Sequence, residues 1–539
     1  MIDEFDYIIV GAGAAGATLA DELSKRTRRS VLVLESGGRA NDPLIHIPKG
    51  VFFLMGGKKH SFYYDTNPVR QTGTPERWQR GRVDGGSTSI NGTQYDRGSA
   101  HFWNSVAAKT DERWSWDEVL KTYRSIENHE LGASEVRGGS GQLSITVSRE
   151  PEPLNDAIVA AVEAYGIPWT DDLNSRGGER VGYIPNTIKN GRRHNTDRAF
   201  LRRALKRENV TRISHAHAVR VIFDGKRAAG VEVLVKNQRK VFKAKHEIIL
   251  SAGPLETPQL LERSGIGRPE VLQKIGAPTI VENVHVGEHM AEQRNLALGW
   301  NVNKQMGYNN RLSTKFQQLK SGARWLLTRK GVIGTGAFDV AVLAKSDPSL
   351  PEPDIFMIIN PFVMTADGAV AAAPGINALG YLVSPTTESS IHATSMNPFA
   401  APEIDAHYLE HEREQIAQHR ILEIAREIAK KKPLVNLIDA ETVPGPSVQT
   451  REEAIQHSWL SGYCYHATGT ARMGKGDDSV VDSSLRVKGV EGLRVADASV
   501  IPGQPGNTMA PSILVGAHAA KLIAGEYEFA GVVNSRASA

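Results

Sequence analysis

A chain of 539 residues, 40% hydrophobic, 6% aromatic and 23% charged, has the composition of a globular protein with room for two domains or one large α/β body with a second layer. Its 64 basic and 60 acidic side chains leave a formal charge of +4, too small an excess to support an extended nucleic-acid footprint. The single cysteine, Cys464, excludes an intrachain disulfide and a cysteine-built zinc cage, and no run approaches the roughly 18 apolar residues of a membrane helix.

The opening "MIDEFDYIIVGAG" runs straight into a strand without the basic region of a secretory signal, so a cytoplasmic location is expected. "YIIVGAGAAGATLADEL" followed by "SVLVLESGG" predicts strand, glycine turn, helix and second strand, the first β-α-β unit of a parallel sheet. Gly- and Pro-rich loops cover 36–100, and helical spacing returns at 114–127 and 154–166. The alternating stretch 218–235 predicts a hairpin turning at Asp224-Gly225, followed by a strand over 246–253. Strand-like runs "DIFMIINPFV" and "NALGYLV" within 296–400 point to an antiparallel sheet, and 410–430 to a long helix followed by a linker, "VPGPSVQT". The end reads strand, loop, helix. Basic runs at 25–29, 202–207 and 430–432 are expected on solvated helix faces, which argues against nucleic-acid or anionic-membrane binding.

Gly11, Gly13 and Gly16 form G-x-G-x-x-G directly between strand and helix. The first glycine permits the turn, the second lets backbone approach a pyrophosphate, and the third lets helix pack on strand. With Ala14 and Ala15 they open a helix whose N–H groups suit phosphates. Glu35 ends the second strand, 19 residues beyond Gly16, where a carboxylate can accept from ribose hydroxyls. This unit predicts an ADP-containing cofactor; it argues against NADP but does not separate NAD from FAD.

Further motifs carry a resemblance. "GRVDGGSTSINGTQYDRG" (81–98), "SAGPLETPQLLERSGIG" (251–267), "HATGTARMG" (466–474) and "GLRVADASVIPGQPGNTMAPS" (492–512) together resemble the glucose–methanol–choline (GMC) family of FAD-dependent oxidoreductases over nearly the whole chain, among them its choline-dehydrogenase-like and aryl or furanic alcohol oxidase members. The resemblance implies an α/β fold with a Rossmann-type FAD-binding domain at 1–150, 190–295 and 461–526. It implies a substrate-binding cap at 151–189 and 296–460, built on an antiparallel sheet flanked by helices. Cofactor contacts are expected from Ser87, Asn91, Gly92, Thr93, Val219, Tyr465, Asp497, Ala498 and Thr508. Ile90 stands where some members carry a flavin-linking histidine, so non-covalent FAD is expected.

By the same resemblance His466 is the catalytic base, a role suited to an imidazole with an ordinary pKa of about 6.5, and Asn507 orients the substrate oxygen. Gly469 and Gly474 are expected to bring the loop close to the flavin, and Thr470 and Arg472 to tie it to backbone. Met509 departs from a frequent asparagine, Cys464 lacks a thiolate-stabilising neighbour, and His101, His285, His289 and His518 lack metal-ligand spacing, so no metal is expected. Tyr308, Trp325, Phe338, Phe356 and Phe362 are candidate pocket walls. The expected activity is oxidation of a primary, aromatic or heteroaromatic alcohol by hydride transfer to flavin, with oxygen as acceptor. The rivals are a quinone- or carrier-linked dehydrogenase and a hydroxynitrile-lyase-type enzyme.

Overall fold

The computed structural model describes residues 3–147, 149–175, 177–236, 238–365 and 369–536. The strand β1 (Glu4–Val10), helix α1 (Ala14–Arg26) and strand β2 (Val31–Glu35) form the expected unit. All five residues of β2 are buried, as a parallel strand covered on both faces requires. Gly11 holds φ +104° in the turn, and a Cβ at Gly16 would collide with the Gly11 carbonyl oxygen. Bare glycine at 16 therefore lets α1 settle on the turn.

The first sheet has seven strands. Val210–Ser214, β2, β1 and the C-terminal half of Gln238–Leu250 run parallel, and Leu493–Val495 pairs parallel to that same half. The N-terminal half of Gln238–Leu250 pairs antiparallel with Arg227–Val235, which pairs with Ala216–Asp224. The expected hairpin is present with Gly225 at φ +58°, but its third strand begins eight residues before the expected 246. One strand thus serves a hairpin and a parallel core. The register around Ala218 and Arg220 shifts at Val219, a bulge.

A second sheet has six antiparallel strands in the order Ile438–Val443, Leu296–Val302, Gly375–Leu382, Ile355–Asn360, Val340–Ala344 and Arg180–Tyr183. Its faces follow the period of two. Ile355, Met357 and Ile359 pack with helices Pro153–Tyr165 and Glu412–Ala429, while Ile358, Asn360 and Tyr381 face the first sheet across a cavity. Stretch 296–400, in which strand-like runs are expected, also contains the helix Lys315–Thr328, opened by a Thr314/Gln317 capping box. The expected linker at 443–450 begins on the last residue of a strand and ends on Thr450, the cap of helix Arg451–Leu460.

The Gly16 contact yields a test. Gly16→Ala should cost about 1–3 kcal/mol or more in chemical denaturation, since neither the carbonyl nor the helix can move away cheaply.

Candidate active site

A continuous cavity of about 520 Å³ runs from the β1–α1 turn to the loop bearing His466. At one end lie Gly11, Gly13, Ala14, Ala15 and Glu35. Helix α1 has no side-chain cap and no acid in its first turn, so its leading N–H groups are open to an anion. Glu35 is buried; its carboxylate accepts from Ala12 N at 3.0 Å and Gly37 N at 2.6 Å, and burial raises its pKa. Oε1 also accepts from Ser36 Oγ at 3.4 Å, and Oε2 keeps a second lone pair for a ribose hydroxyl. This donor set fits the ADP half of a dinucleotide.

Ser87, Asn91, Gly92, Tyr465, Asp497, Ala498 and Thr508 also line the cavity. Asp497 does so while capping Ala498–Val500 through Ser499 N (2.8 Å) and accepting from Gly253 N (2.8 Å) and Thr257 Oγ1 (2.7 Å). Two expected contacts lie off the lining. Thr93 turns its hydroxyl to Asn186 Oδ1 at 2.8 Å, and the bulged Val219 gives its carbonyl to Arg263 Nε at 3.0 Å, leaving Ala216, His217 and Ala218 on the wall. Of the expected pocket aromatics, Phe338 and Phe362 line the cavity. Tyr308 donates to Asp339 Oδ1 (2.7 Å), Trp325 donates to Gly191 O (2.7 Å), and Phe356 stacks behind Tyr381 at 5.4 Å. Gly469 serves packing rather than access to the cavity, because a Cβ there would strike the His289 carbonyl. A Cβ at Gly474 would press on Ser479. Thr470 and Arg472 do tie the loop to backbone, at Pro254 O (2.7 Å) and Asp478 O (2.8 Å).

His466 is placed by pairing between two distant segments. Ala291 and Thr468 form an antiparallel bridge, which puts residue 293 opposite residue 466 with side chains on one face. Arg294 then bridges Tyr463 rather than residue 465, and Tyr465, at φ +67°, takes up the excess. The Gln293 and His466 side chains meet at 2.7 Å, Oε1 to Nδ1. Gln293 Nε2 donates to Val383 O at 2.7 Å, which turns its amide oxygen toward the imidazole. On the other side Asn507 Oδ1 accepts from Met509 N at 3.0 Å, which turns its amide nitrogen to His466 Nε2 at 3.1 Å. Both amide orientations demand one tautomer: proton on Nδ1, lone pair on Nε2.

The ring opens to the cavity rather than to bulk solvent. Burial, reinforced by the Arg80 cation, pushes its pKa down to about 3. Below the loop, Glu292 Oε1 accepts from His466 N and Gln293 N, both at 2.9 Å, and burial lifts its pKa to about 7. Burial also raises the Cys464 thiol well above its ordinary range, so it stays protonated, bonded to Asn295 Oδ1 at 3.1 Å. Arg80, Glu292 and Gln293 were not anticipated. Arg80 sits one residue before the first signature motif, and the other two in "AEQRN", a stretch with no pattern until the register is known.

A parallel dinucleotide-type sheet, an antiparallel cap and a neutral histidine paired with asparagine between them define a flavin-type oxidoreductase. Residues 5–293 and 385–517 match the N- and C-terminal domain families described as GMC oxidoreductase, and the chain belongs to that family. It is 34% identical over 537 residues to an oxygen-dependent choline dehydrogenase of Vibrio vulnificus (strain YJ016), covering 97% of this chain and 95% of the relative. It is 31% identical to "Alcohol dehydrogenase [acceptor]" of Pseudomonas putida, covering 98% and 97%. Among solved structures, pyridoxine 4-oxidase from "Mesorbium loti" superposes with a TM-score of 0.86 at 26% identity, covering 96% and 98%. The protein is therefore an oxidoreductase acting on CH–OH groups, in a family of FAD flavoproteins.

The pinned tautomer has a pH signature. Because the folded site holds the imidazole neutral, flavin reduction by alcohol should be flat across neutral pH, with an acid limb below the 6.5 of free imidazole; anaerobic stopped-flow measurements would read it. By linkage, the unfolded chain binds this proton between about 6.5 and about 3, so His466 lowers stability as pH falls through that window. Gln293→Leu strands the Nδ1 proton and should slow flavin reduction by about tenfold or more, with FAD retained.

Proposed function

We propose that this protein oxidises a primary alcohol, aromatic or heteroaromatic, to the aldehyde, with oxygen as acceptor and hydrogen peroxide as product. The observation that carries the reading is the Nε2 lone pair of His466, aimed into the cavity and touched there by Asn507 at 3.1 Å. A hydroxyl entering between the two side chains gives its proton to Nε2, while Asn507 Nδ2 turns from the imidazole to the substrate oxygen and stabilises its developing charge. FAD, when bound, supplies the acceptor for the hydride leaving the carbinol carbon. The charge that His466 gains with the proton then favours negative charge growing on oxygen nearby.

The wall supports this substrate class. The cap contributes Phe338, Ile358, Phe362, Met364, Leu379 and Tyr381 with the amide pair Asn360–Asn377. Tyr465, 40% exposed, also lines the cavity, its ring tilted against that of Tyr463 at 4.4 Å. Such a wall suits a planar ring with one or two polar substituents. A quaternary ammonium is disfavoured, because Arg80 lines the cavity and, among the described residues, the cap side of the lining carries no carboxylate. That separates the proposed substrate from choline despite the similarity to choline dehydrogenases.

We assign cofactor binding to the segments 1–150, 190–295 and 461–526, and substrate binding to 151–189 and 296–460. The flavin would be held without a covalent bond, since Ile90 lines the cavity where a linking histidine would be needed. Acid denaturation should release all yellow colour into the supernatant; colour remaining on the pellet would contradict it.

Anaerobic bleaching with benzylic, furanic, pyridine-type and aliphatic alcohols tests the reaction. Ring-bearing primary alcohols should bleach the flavin fastest, and His466→Ala should slow bleaching at least about a hundredfold with its spectrum intact. Near-normal bleaching in that variant would overturn the mechanism, and a flavin that no alcohol bleaches would favour a lyase. Admitting air to reduced enzyme should restore the colour in well under about a second; recovery over minutes would instead support a carrier-linked dehydrogenase.

A further inference from the structure

The helix Lys315–Thr328 is amphipathic in the wrong sense for a helix packed on a protein. Phe316, Leu319, Leu326 and Leu327 are 76%, 71%, 63% and 86% exposed, and Ala323 between them is exposed as well. At about 100° per residue these five fall within one arc of roughly 100°. Trp325, on the opposite side, is 4% exposed and anchors the helix through its bond to Gly191 O. Lys320 and Arg324 border the apolar arc on one side and Lys315 on the other. Arg324 is paired with Glu150 at 2.9 Å. From residue 293 to 338 the chain has eight Lys and Arg and no Asp or Glu.

A basic cleft of about 530 Å³ adjoins the end of this helix. It is lined by Lys189, Arg192, Arg193, Arg198, Arg202 and Arg329 together with Asn190 and His194, and the Arg329 backbone presses on Gly191. Arg202 has a partner in Asp197 at 2.7 Å. Among the described residues no carboxylate pairs with Lys189, Arg192, Arg198 or Arg329, and Arg192 Nε is buried with no partner.. The crowding is felt nearby: burial and then Arg198, Arg192, Arg202 and Arg193 push His46 down to about 4.

An apolar stripe needs an apolar medium, and unpaired cations crowded in a cleft need anions. A dissolved polyanion would satisfy only the cleft, and a second apolar surface only the stripe. A bilayer with anionic headgroups satisfies both at once, with Phe and Leu at the acyl boundary and the cations among phosphates. We propose that this helix and the adjoining basic cleft form a docking surface for an anionic lipid bilayer. Docking would bring lipid close to the substrate cavity. Leu312, just before the helix, and Val332 and Ile333, just after it, pack in one cluster with Phe52, Phe362 and Met364, and those last three line the cavity. Basic residues at 202–207, expected to be merely solvated, contribute to the surface because folding brings Arg202 beside Arg192 and Arg329.

The proposal does not rest on the reaction, and sedimentation with vesicles tests it without turnover. The FAD-loaded protein should partition onto phosphatidylcholine vesicles containing phosphatidylglycerol about tenfold or more tightly than onto phosphatidylcholine alone. Binding should weaken as salt is raised. The variant F316S/L319S/L327S should lose about tenfold or more of that binding while alcohol still bleaches its flavin in solution, and K189E/R198E should lose a comparable amount. Absence of binding to the phosphatidylglycerol vesicles at low salt, or undiminished binding by the apolar variant, would overturn the proposal. So would a smaller oligomer in that variant, which would assign the stripe to a second copy, or binding to polyglutamate but not to vesicles, which would point to an acidic protein partner.

Discussion

The site depends on the orientation of two side-chain amides. Gln293 is turned by the carbonyl of Val383 and Asn507 by the N–H of Met509, so backbone groups on separate elements dictate which nitrogen of His466 carries the proton. A histidine free to tautomerise would present its lone pair to the cavity only part of the time. Here the lone pair is preset on Nε2, and low polarity keeps the imidazole neutral. In the proposed reaction the transfer then needs no change of tautomer; only Asn507 Nδ2 shifts, from Nε2 to the substrate oxygen.

The cavity divides its labour along its length. The turn end offers N–H groups, glycine backbone and Glu35, all suited to a phosphorylated nucleotide. The cap end offers aromatic and aliphatic walls with a small number of amides. The sheet alternation that produces the second surface also produces the core behind it, since neighbours on each cap strand face opposite ways. Changing a cap side chain on the cavity face can therefore alter substrate choice without entering the helix-packed core. Similarity to choline dehydrogenases over nearly the whole chain is compatible with a different substrate for this reason.

Much of this was legible in the sequence, and the limits are instructive. The β1–α1–β2 unit could be read because its glycines act locally: Gly16 contacts the carbonyl of Gly11, five residues away. His466 and Asn507 could be placed because both lie in contiguous motifs. Gln293 could not, because its role arises from a cross-strand register between segments about 170 residues apart, and nothing local marks it. Val219 and Thr93 illustrate a second limit. A motif identifies the loop or strand, but a bulge or a residue at φ +68° decides which side chain or carbonyl faces the cavity. Helix Lys315–Thr328 had a readable apolar spacing, but its segment lies ahead of the strand-like runs at 354–363 and 377–383 and is not among the expected elements.

The strand Gln238–Leu250 belongs to a hairpin at one end and at the other lies between β1 and Leu493–Val495. Beyond it, Gly516 in the helix Met509–Arg536 lies so close to Ala15 that a side chain there would meet α1 backbone. During synthesis, the β1–α1 turn thus precedes by hundreds of residues the helix that packs against it. About two hundred residues separate the early strands from the partners that flank them, Val210–Ser214 and Gln238–Leu250, so this sheet closes only through contacts distant in sequence and cannot be completed by its opening unit alone.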